Sequence, residues 1–241
     1  MGIFNNIINI IYPPRCILCH GFISTHNTLG LCSDCYSGFH RISSPFCPIC
    51  GIPFNGSGEN HLCGRCLKKR PFFDTIKAPY IYEGKIKQAI YTLKYEKNTL
   101  VADIIGPIVA EFVCKQIGEN KNITVVPVPL HPKRLRKRGF NQSLLIARHI
   151  ADALDARMDF LSLRRIQNTM PQAMLDKKDR RKNVRGAFRV KGHEPFKEKT
   201  VLLVDDVATT TNTLNECARV LKKAGAQRVM CAVIARTHNA I

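Results

Sequence analysis

The chain has 241 residues, of which 45% are hydrophobic and 23% charged, a composition too apolar for a disordered or collagen-like protein. Its 37 lysines and arginines outnumber 18 acidic residues, so the formal net charge is +19, which predicts an anionic partner. No apolar run reaches the roughly 18 residues that a membrane span needs, and no basic residue precedes Arg15. We expect a cytoplasmic protein without export or stable membrane insertion, whose first residues form a helix packed on the body or an amphipathic helix at the inner face of the membrane.

Cysteine spacing gives the strongest structural signal. Eight of the eleven cysteines form four C-x-x-C pairs, and the last two pairs repeat the first two with an offset of 31 residues, from Cys16 to Cys47. Two such pairs close a four-sulfur site suited to structural zinc. Disulfides and an iron–sulfur cluster are the alternatives, disfavoured by a reducing cytosol and by the symmetric spacing. We predict two zinc ions, with neighbouring pairs sharing an ion rather than crossed pairs, on Cys16, Cys19, Cys32, Cys35, Cys47, Cys50, Cys63 and Cys66.

A change of composition near residue 71 predicts two domains. Residues 1–70 form a double zinc ribbon too small to build its own core, with a short helix beginning at the second cysteine pair of each ribbon. Residues 71–241 alternate helical and strand patterns, which predicts an α/β fold with a parallel sheet and helices on both faces. The predicted helices cover 85–95, 102–117, 141–154 and 212–224, and the predicted strands cover 123–129, 158–163, 200–204 and 228–234.

Basic residues concentrate in two segments of the second domain. KRLRKR at 133–138 and KKDRRKNVRGAFRVK at 177–191 together contain thirteen cations and one Asp, whereas an ordinary surface mixes both signs. The pattern favours phosphate binding over a merely solvated basic surface. The cations expected to contact nucleic acid are Lys133, Arg134, Lys137, Arg180, Arg181 and Arg185.

Two adjacent carboxylates and a hydroxyl-rich turn follow the strand predicted over 200–204. Asp205 and Asp206, expected at an exposed strand tip, have the chemistry to hold ribose hydroxyls or a magnesium ion. The turn leads into a helix whose free amides and dipole favour a phosphate. The alternative is an ordinary acidic strand end followed by a Thr or Asn N-cap. The predicted phosphate cradle comprises Thr209, Thr210, Thr211, Asn212 and Thr213.

The strand, acidic pair and Thr-rich turn resemble the phosphoribosyl pyrophosphate (PRPP) loop of type I phosphoribosyltransferases. The chain as a whole resembles the ComF/GntX family of competence-associated proteins, and the string VPVPLHPKRLRKRGFNQS at 126–143 is the most family-specific feature. A second family-like segment carries Thr169, Gln172, Leu175, Arg180, Arg181, Asn183, Ala187 and Phe188.

The resemblance implies a type I phosphoribosyltransferase-like fold, with PRPP as ligand or substrate and magnesium as its cation. It makes Asp205 and Asp206 the ribose and magnesium carboxylates. The turn from Val126 to Pro129 would face pyrophosphate, and Arg136 and Arg138 would neutralise it.

Two further points follow from the same resemblance. Residues 170–185 correspond to a mobile loop that closes over the site and excludes water. The family usually has Gly at the position of Thr211, where Gly allows close backbone approach or positive φ. Either Thr211 adopts ordinary dihedrals and adds its hydroxyl to a phosphate contact, or this chain binds PRPP weakly.

Three functions fit these features. The preferred one is a PRPP-binding competence protein that handles incoming single-stranded DNA in natural transformation. The alternatives are an active phosphoribosyltransferase with an unknown acceptor, and a zinc-ribbon adaptor for a helicase or channel protein of DNA uptake. Aromatic residues for base stacking are few, with no Trp, although Phe140 adjoins the first basic segment and Phe188 lies within the second.

Overall fold

The computed structural model describes residues 13–23, 30–118, 122–168, 184–192 and 195–238. The helix expected at the start of the chain lies outside these residues, as do Arg180, Arg181 and nearly all of the loop expected over 170–185. Among the described helices, none combines the length and the apolar composition that crossing a bilayer requires.

Each zinc ribbon ends in a short helix, as the sequence predicted. Helix α1 (Ser33–Ser37) begins directly after Cys32, whose sulfur accepts a hydrogen bond from the Cys35 amide. Helix α2 (Gly64–Lys68) begins directly after Cys63, whose side chain makes no capping hydrogen bond. In each ribbon the helix therefore positions the second cysteine of its pair toward the pair that precedes it.

The rest of the described chain alternates strands and helices. The helices are α3 (Gly84–Tyr95), α4 (Leu100–Ile117), α5 (Pro132–Arg138), α6 (Gln142–Ala153) and α7 (Asn212–Lys223). The strands are β1 (Thr75–Lys77), β2 (Tyr80–Ile81), β3 (Ile123–Pro127), β4 (Arg157–Met158), β5 (Leu163–Arg165), β6 (Phe188–Val190), β7 (Thr200–Ala208) and β8 (Arg228–Arg236).

The main sheet is parallel, in the order β1-β8-β7-β3-β4, with β2 also paired to β8. All five residues of β3 are buried, as expected for a strand covered on both faces. The strand predicted over 158–163 is wrong in extent. Asp159 accepts hydrogen bonds from the amides of Leu161 and Ser162, and this turn ends β4; Leu163 then starts β5, which pairs antiparallel with β6.

Two hydrophobic cores lie on opposite faces of the sheet, because successive strand residues point to opposite sides. The first, beneath α3, α4 and α6, contains Val125, Leu202, Val204, Ala232 and Ile234. The second, beneath α7, contains Val126, Val201, Leu203, Cys231 and Val233. This arrangement confirms the predicted parallel sheet with helices on both faces.

The zinc ribbons share these cores with the sheet. Cys35 and Phe39 of the first ribbon belong to the first core, and Cys50 and Ile52 of the second ribbon belong to the second. Backbone hydrogen bonds cross the same junction, from Ile76 N to Ile49 O at 2.8 Å and from Ile81 N to His40 O at 2.9 Å. The ribbons thus bury apolar surface against the sheet. The domain boundary at residue 70 stays a prediction.

Candidate functional site

The eight paired cysteines form two four-sulfur clusters. Cys16, Cys19, Cys32 and Cys35 form one and Cys47, Cys50, Cys63 and Cys66 the other, with the sulfurs of each cluster within 4.8 Å of one another. The sulfurs of Cys19 and Cys32 are 3.7 Å apart, and those of Cys50 and Cys63 are 3.6 Å apart. A tetrahedral ion with Zn–S bonds of about 2.3 Å separates its sulfurs by about 3.8 Å. The donor set and spacing therefore fit two structural zinc ions, with neighbouring pairs sharing an ion as predicted.

The two clusters differ in their surroundings. Cys19 of the first cluster is exposed, whereas all four cysteines of the second are buried. The fully buried Arg236, at the end of β8, donates from Nε to the Cys50 carbonyl oxygen at 2.9 Å. Its Nη1 donates to the carbonyl oxygens of Ala208 at 2.8 Å and Thr209 at 2.6 Å. One guanidinium thus connects the second zinc ribbon to the Thr-rich turn after β7.

Asp205 and Asp206 lie at the carboxyl edge of the sheet. The last residue of β3, Pro127, pairs with Val204, so Asp205 is the first residue of β7 beyond that neighbour. Contrary to the sequence prediction, β7 does not end at Val204. It continues to Ala208, because β8 extends with it and Ala208 pairs with Arg236.

The two carboxylates have different partners. Asp205 Oδ1 accepts hydrogen bonds from Ser143 Oγ at 2.9 Å and from the Asp206 amide at 3.0 Å. Asp206 Oδ2 lies 2.6 Å from Lys94 Nζ, in an ion pair whose side chains are only 7% and 18% exposed. The expectation of exposed strand-tip carboxylates is therefore wrong for Asp206, because α3 brings a cation onto it.

The surroundings of the two acids change the pKa values of Asp205 and Lys94. Burial and the neighbouring charge of Asp206 raise the pKa of Asp205 to about 7, although Lys94 and Ser143 act in the opposite direction. Burial by itself would lower the pKa of Lys94, but the carboxylates of Asp206 and Asp205 raise it overall. Asp205 therefore changes charge near neutral pH, while Lys94 stays a cation beside the site.

Sequence reasoning did not identify Lys94 or Ser143. Lys94 follows Ile86 by eight positions and Ile90 by four, and both isoleucines lie on the buried face of α3. A lysine on an apolar helix face was the available signal. Ser143 follows Asn141, whose side chain caps α6 and donates to Val128 O at 3.1 Å, so the family-like string folds to bring this hydroxyl to Asp205.

The Thr-rich turn ends where α7 begins, at Asn212. A backbone hydrogen bond in the first turn of this helix runs from the Asn215 amide to Thr211 O at 2.8 Å, which places the Thr-rich turn at the N-terminus of α7, where the helix dipole is positive. Thr210 is 5% exposed, and its Oγ1 has no hydrogen-bond partner among the described residues. A buried hydroxyl without a partner next to helix-start amides fits an anion held in this turn.

Thr211 occupies the position that demands a glycine. Its φ is +64° and its ψ is +4°, in the left-handed region that β-branched residues rarely adopt. Its side chain makes no capping hydrogen bond to α7. The first sequence alternative, Thr211 in ordinary dihedrals, is therefore wrong.

We expect Thr211→Gly to stabilise the folded chain. Relief of a strain of about 1–3 kcal/mol exceeds the loss of about 0.5–1 kcal/mol from the greater freedom of Gly in the unfolded chain. Thermal or urea unfolding of the variant measures the gain. Thr210→Gly serves as the comparison, since Thr210 has no positive φ, and should be destabilising. A lower midpoint for Thr211→Gly would show that the turn carries no strain.

Helix α5 brings five cations to the same edge. His131 caps its start by accepting from the Lys133 amide, and Gly139, at φ +91°, ends it. Arg134 and Arg138 are partly buried on the inner face, and Arg138 lies 5.9 Å from the ring centre of Tyr95. The exposed cations of α5 are Lys133, Arg136 and Lys137. The partly buried pair is therefore Arg134 and Arg138, whereas Arg136, which the resemblance paired with Arg138, is exposed.

Two other predicted residues lie elsewhere. Val126 is inside β3, pairs with Leu203 and is fully buried in the second core, so the turn that could face a ligand starts only after Pro127. Arg185 is exposed and its charge acts on Glu216 of α7, on the side of the second core. The structure thus gathers Asp205, Asp206, the Thr-rich turn and α5, but not Val126.

Comparison with known proteins agrees with this architecture. A family described as double zinc ribbon domain matches residues 7–67, and one described as phosphoribosyl transferase domain matches residues 94–240. A protein of Escherichia coli strain K12 named DNA utilization protein YhgH is 31% identical over 93% of this chain and 98% of its own length.

Two relatives carry competence names. Competence protein F of Haemophilus influenzae is 30% identical over 92% of this chain and 96% of its own length. Competence protein ComFC of Streptococcus pneumoniae is 26% identical over 89% of this chain and 96% of its own. With its two four-cysteine clusters and its parallel sheet, the chain belongs to the family of double-zinc-ribbon, phosphoribosyltransferase-like competence proteins.

Proposed function

We propose that the chain binds PRPP with magnesium at the Asp205–Thr213 edge and binds single-stranded DNA along α5. The observation that carries the first part is the buried Thr210 hydroxyl, which has no hydrogen-bond partner among the described residues and lies at the N-terminus of α7, where the helix dipole favours the 5′-phosphate. Asp205 and Asp206 precede this turn on β7 and would bind the ribose hydroxyls. Magnesium, when bound, would neutralise the phosphate oxygens and use carboxylate ligands.

The surrounding residues would bind and orient such a ligand. Ser143 holds Oδ1 of Asp205 and leaves its other oxygen available, while Lys94 fixes Asp206. Arg134 and Arg138, half-buried on α5, would balance the charge of the pyrophosphate group. In a transfer reaction the same cations would stabilise negative charge on the departing pyrophosphate.

We expect magnesium-dependent PRPP affinity to rise between pH 6 and pH 8. Below the pKa of about 7 Asp205 is mostly a neutral acid and a poor ligand for a cation, and above it the carboxylate is available. Burial of Asp205 has the opposite effect on stability: because its pKa in the folded chain lies above the ordinary value of 3.8, stability falls as the pH rises from about 4 to about 7 and is not lowered further above that. Calorimetric titration with PRPP and magnesium at each pH measures the affinity.

Asp205→Asn is the control for this experiment. It keeps an oxygen for Ser143 but cannot ionise, so affinity should fall and the part of the pH dependence due to Asp205 should vanish, leaving that of the phosphate itself. Replacing both acids by Ala is a poorer test, since an unpaired buried Lys94 would itself cost about 3–5 kcal/mol. Wild-type affinity in Asp205→Asn would remove the PRPP proposal.

The proposal of DNA binding rests on the positive charge of α5 and on the names of two relatives, which mention DNA utilization and competence. We expect a triple variant in which Gln replaces Lys133, Arg136 and Lys137 to bind an oligothymidine strand more weakly. These three cations are exposed, so their loss should lower the slope of log affinity against log salt by about 2, at about 0.7 for each phosphate contact. Fluorescence anisotropy of a labelled strand at several salt concentrations measures the slope.

A matched variant carries the same charge change elsewhere. Lys68, Lys69 and Arg70 are exposed at the end of the second ribbon, and their replacement by Gln should leave the slope near that of the wild type. Equal effects of the two triple variants would mean that only the net charge of +19 attracts the strand, and would remove α5 as the DNA site.

A further inference from the structure

Two exposed tyrosines border the basic helix. Tyr91 and Tyr95, here called the aromatic pair, lie one turn apart on α3 with their side chains 54% and 62% exposed. Their ring centres are 4.9 Å apart at an interplanar angle of 37°. Phe140 and Phe188, the aromatics that the basic segments suggested, pack instead against the first core and inside the second. The aromatic surface near α5 is therefore supplied by α3.

The aromatic pair is tied to α5 by Arg138. The guanidinium carbon lies 5.9 Å from the ring centre of Tyr95, and Nη1 donates to Gln142 Oε1 at 2.8 Å, which holds the arginine in place. Arg134, on the same side of α5 as Arg138, also lies near Tyr95. An aromatic face, an arginine and a helix of five cations without an acid are thus contiguous.

The pair also adjoins the carboxylate edge. Tyr95 directly follows Lys94, whose ammonium pairs with Asp206 at 2.6 Å. The half-buried Tyr82 interacts electrostatically with Lys94, Asp206 and Tyr95. A strand lying across α5 and the pair would therefore pass beside the proposed PRPP site.

We propose that Tyr91 and Tyr95 stack the bases of a single DNA strand whose phosphates are held by α5. This inference rests on the proposed DNA-binding function and names the residues that contact the bases. A positively charged groove with aromatic faces is the combination that binds single strands without sequence preference. A tyrosine pair that only stabilises α3, as neighbours one helical turn apart do, would not contact DNA.

The test uses the absence of tryptophan from the chain. Tyr95→Trp introduces a single indole, whose fluorescence should be quenched by an oligothymidine strand and not by an abasic strand of the same length. Phe22→Trp is the matched control, since Phe22 is 66% exposed in the first ribbon and also carries an arginine, Arg15, 4.4 Å from its ring centre. The indole at position 22 should not respond to either strand.

Affinity gives a second readout. Tyr91→Leu with Tyr95→Leu keeps an apolar pair on α3 but removes the stacking faces, so affinity should fall at least about fivefold for each base that loses its partner. The salt slope should stay unchanged, because no charge is removed. Unchanged affinity in this variant, with wild-type thermal stability, would overturn the inference.

The two proposals can fail separately. If a labelled strand binds the wild type with the expected salt slope but leaves the indole at position 95 unquenched, the aromatic pair is excluded and DNA binding by α5 stands. If no strand binds the wild type at low salt, the proposed DNA-binding function fails and this inference fails with it.

Discussion

Loss of the second zinc ion is expected to unfold its ribbon and to lower the melting temperature of the whole chain. Structural zinc sites contribute apparent binding free energies of about 10–16 kcal/mol, as much as the total stability of a typical domain. Cys50→Ser removes a ligand from the cluster whose four cysteines are all buried. Because Cys50 and Ile52 belong to the core beneath α7, the sheet should lose part of that core as well.

Cys19→Ser is the matched variant at the first cluster. Cys19 is exposed, so a serine or water can replace it with less disturbance, and the fall in melting temperature should be smaller. Elemental analysis should give two zinc ions per wild-type chain, and a chromophoric chelator should remove the first before the second. A metal-free chain that melts at the wild-type temperature, or iron in place of zinc, would contradict the assignment.

The zinc clusters and the sheet could be predicted from the sequence because their signals are local. Two-residue cysteine spacing fixes the geometry of each half-site, and apolar runs such as 123–127 and 200–204 identify buried parallel strands. The ends of elements were less predictable. β7 continues through Asp205 and Asp206 because β8 pairs with it. Pairing between two strands cannot be recognised from the residue pattern of either strand alone.

The partners of the candidate site escaped prediction for the same reason. Lys94 and Asp206 are more than a hundred residues apart in the chain. The position of Lys94 on an apolar helix face does not identify its partner, and desolvation opposes the burial of a cation. Thr211 illustrates a different limit. The resemblance identified the position of a missing glycine, but only the backbone shows that the positive φ is retained, at +64°.

Replacing Arg236 with Met is expected to destabilise the chain and to loosen both sites that this arginine joins. The substitution removes the donors to the carbonyl oxygens of Cys50, Ala208 and Thr209, and a buried acceptor left unsatisfied costs about 1–3 kcal/mol. Relief of the desolvated charge offsets part of this cost. A net loss of several kcal/mol corresponds to a fall of about 10 °C in melting temperature for a chain of this size.

Removing the charge of Arg236 should also weaken zinc binding at the second cluster. Four thiolates on one zinc ion carry a net charge of about −2, and Arg236 is a buried cation whose charge interacts with Cys50 and Cys63. We therefore expect faster zinc release from the second cluster in Arg236→Met, while release from the first stays unchanged. PRPP affinity should fall as well, because Ala208 and Thr209 lead into the turn proposed to bind the 5′-phosphate.

Arg228→Met is the control, since Arg228 lies at the exposed start of the same strand and the substitution is identical. It should leave melting temperature, zinc release and PRPP affinity near the wild-type values. Arg236→Lys separates charge from geometry, because an ammonium retains the cation but cannot reproduce the planar guanidinium that donates to both sides at once. If Arg236→Lys restores zinc retention but not PRPP affinity, the zinc cluster requires only the positive charge, whereas the Thr-rich turn requires the hydrogen bonds of the guanidinium. Normal zinc retention and normal PRPP affinity in a folded Arg236→Met chain would show that the two sites are independent, and that the guanidinium between them only fills the core.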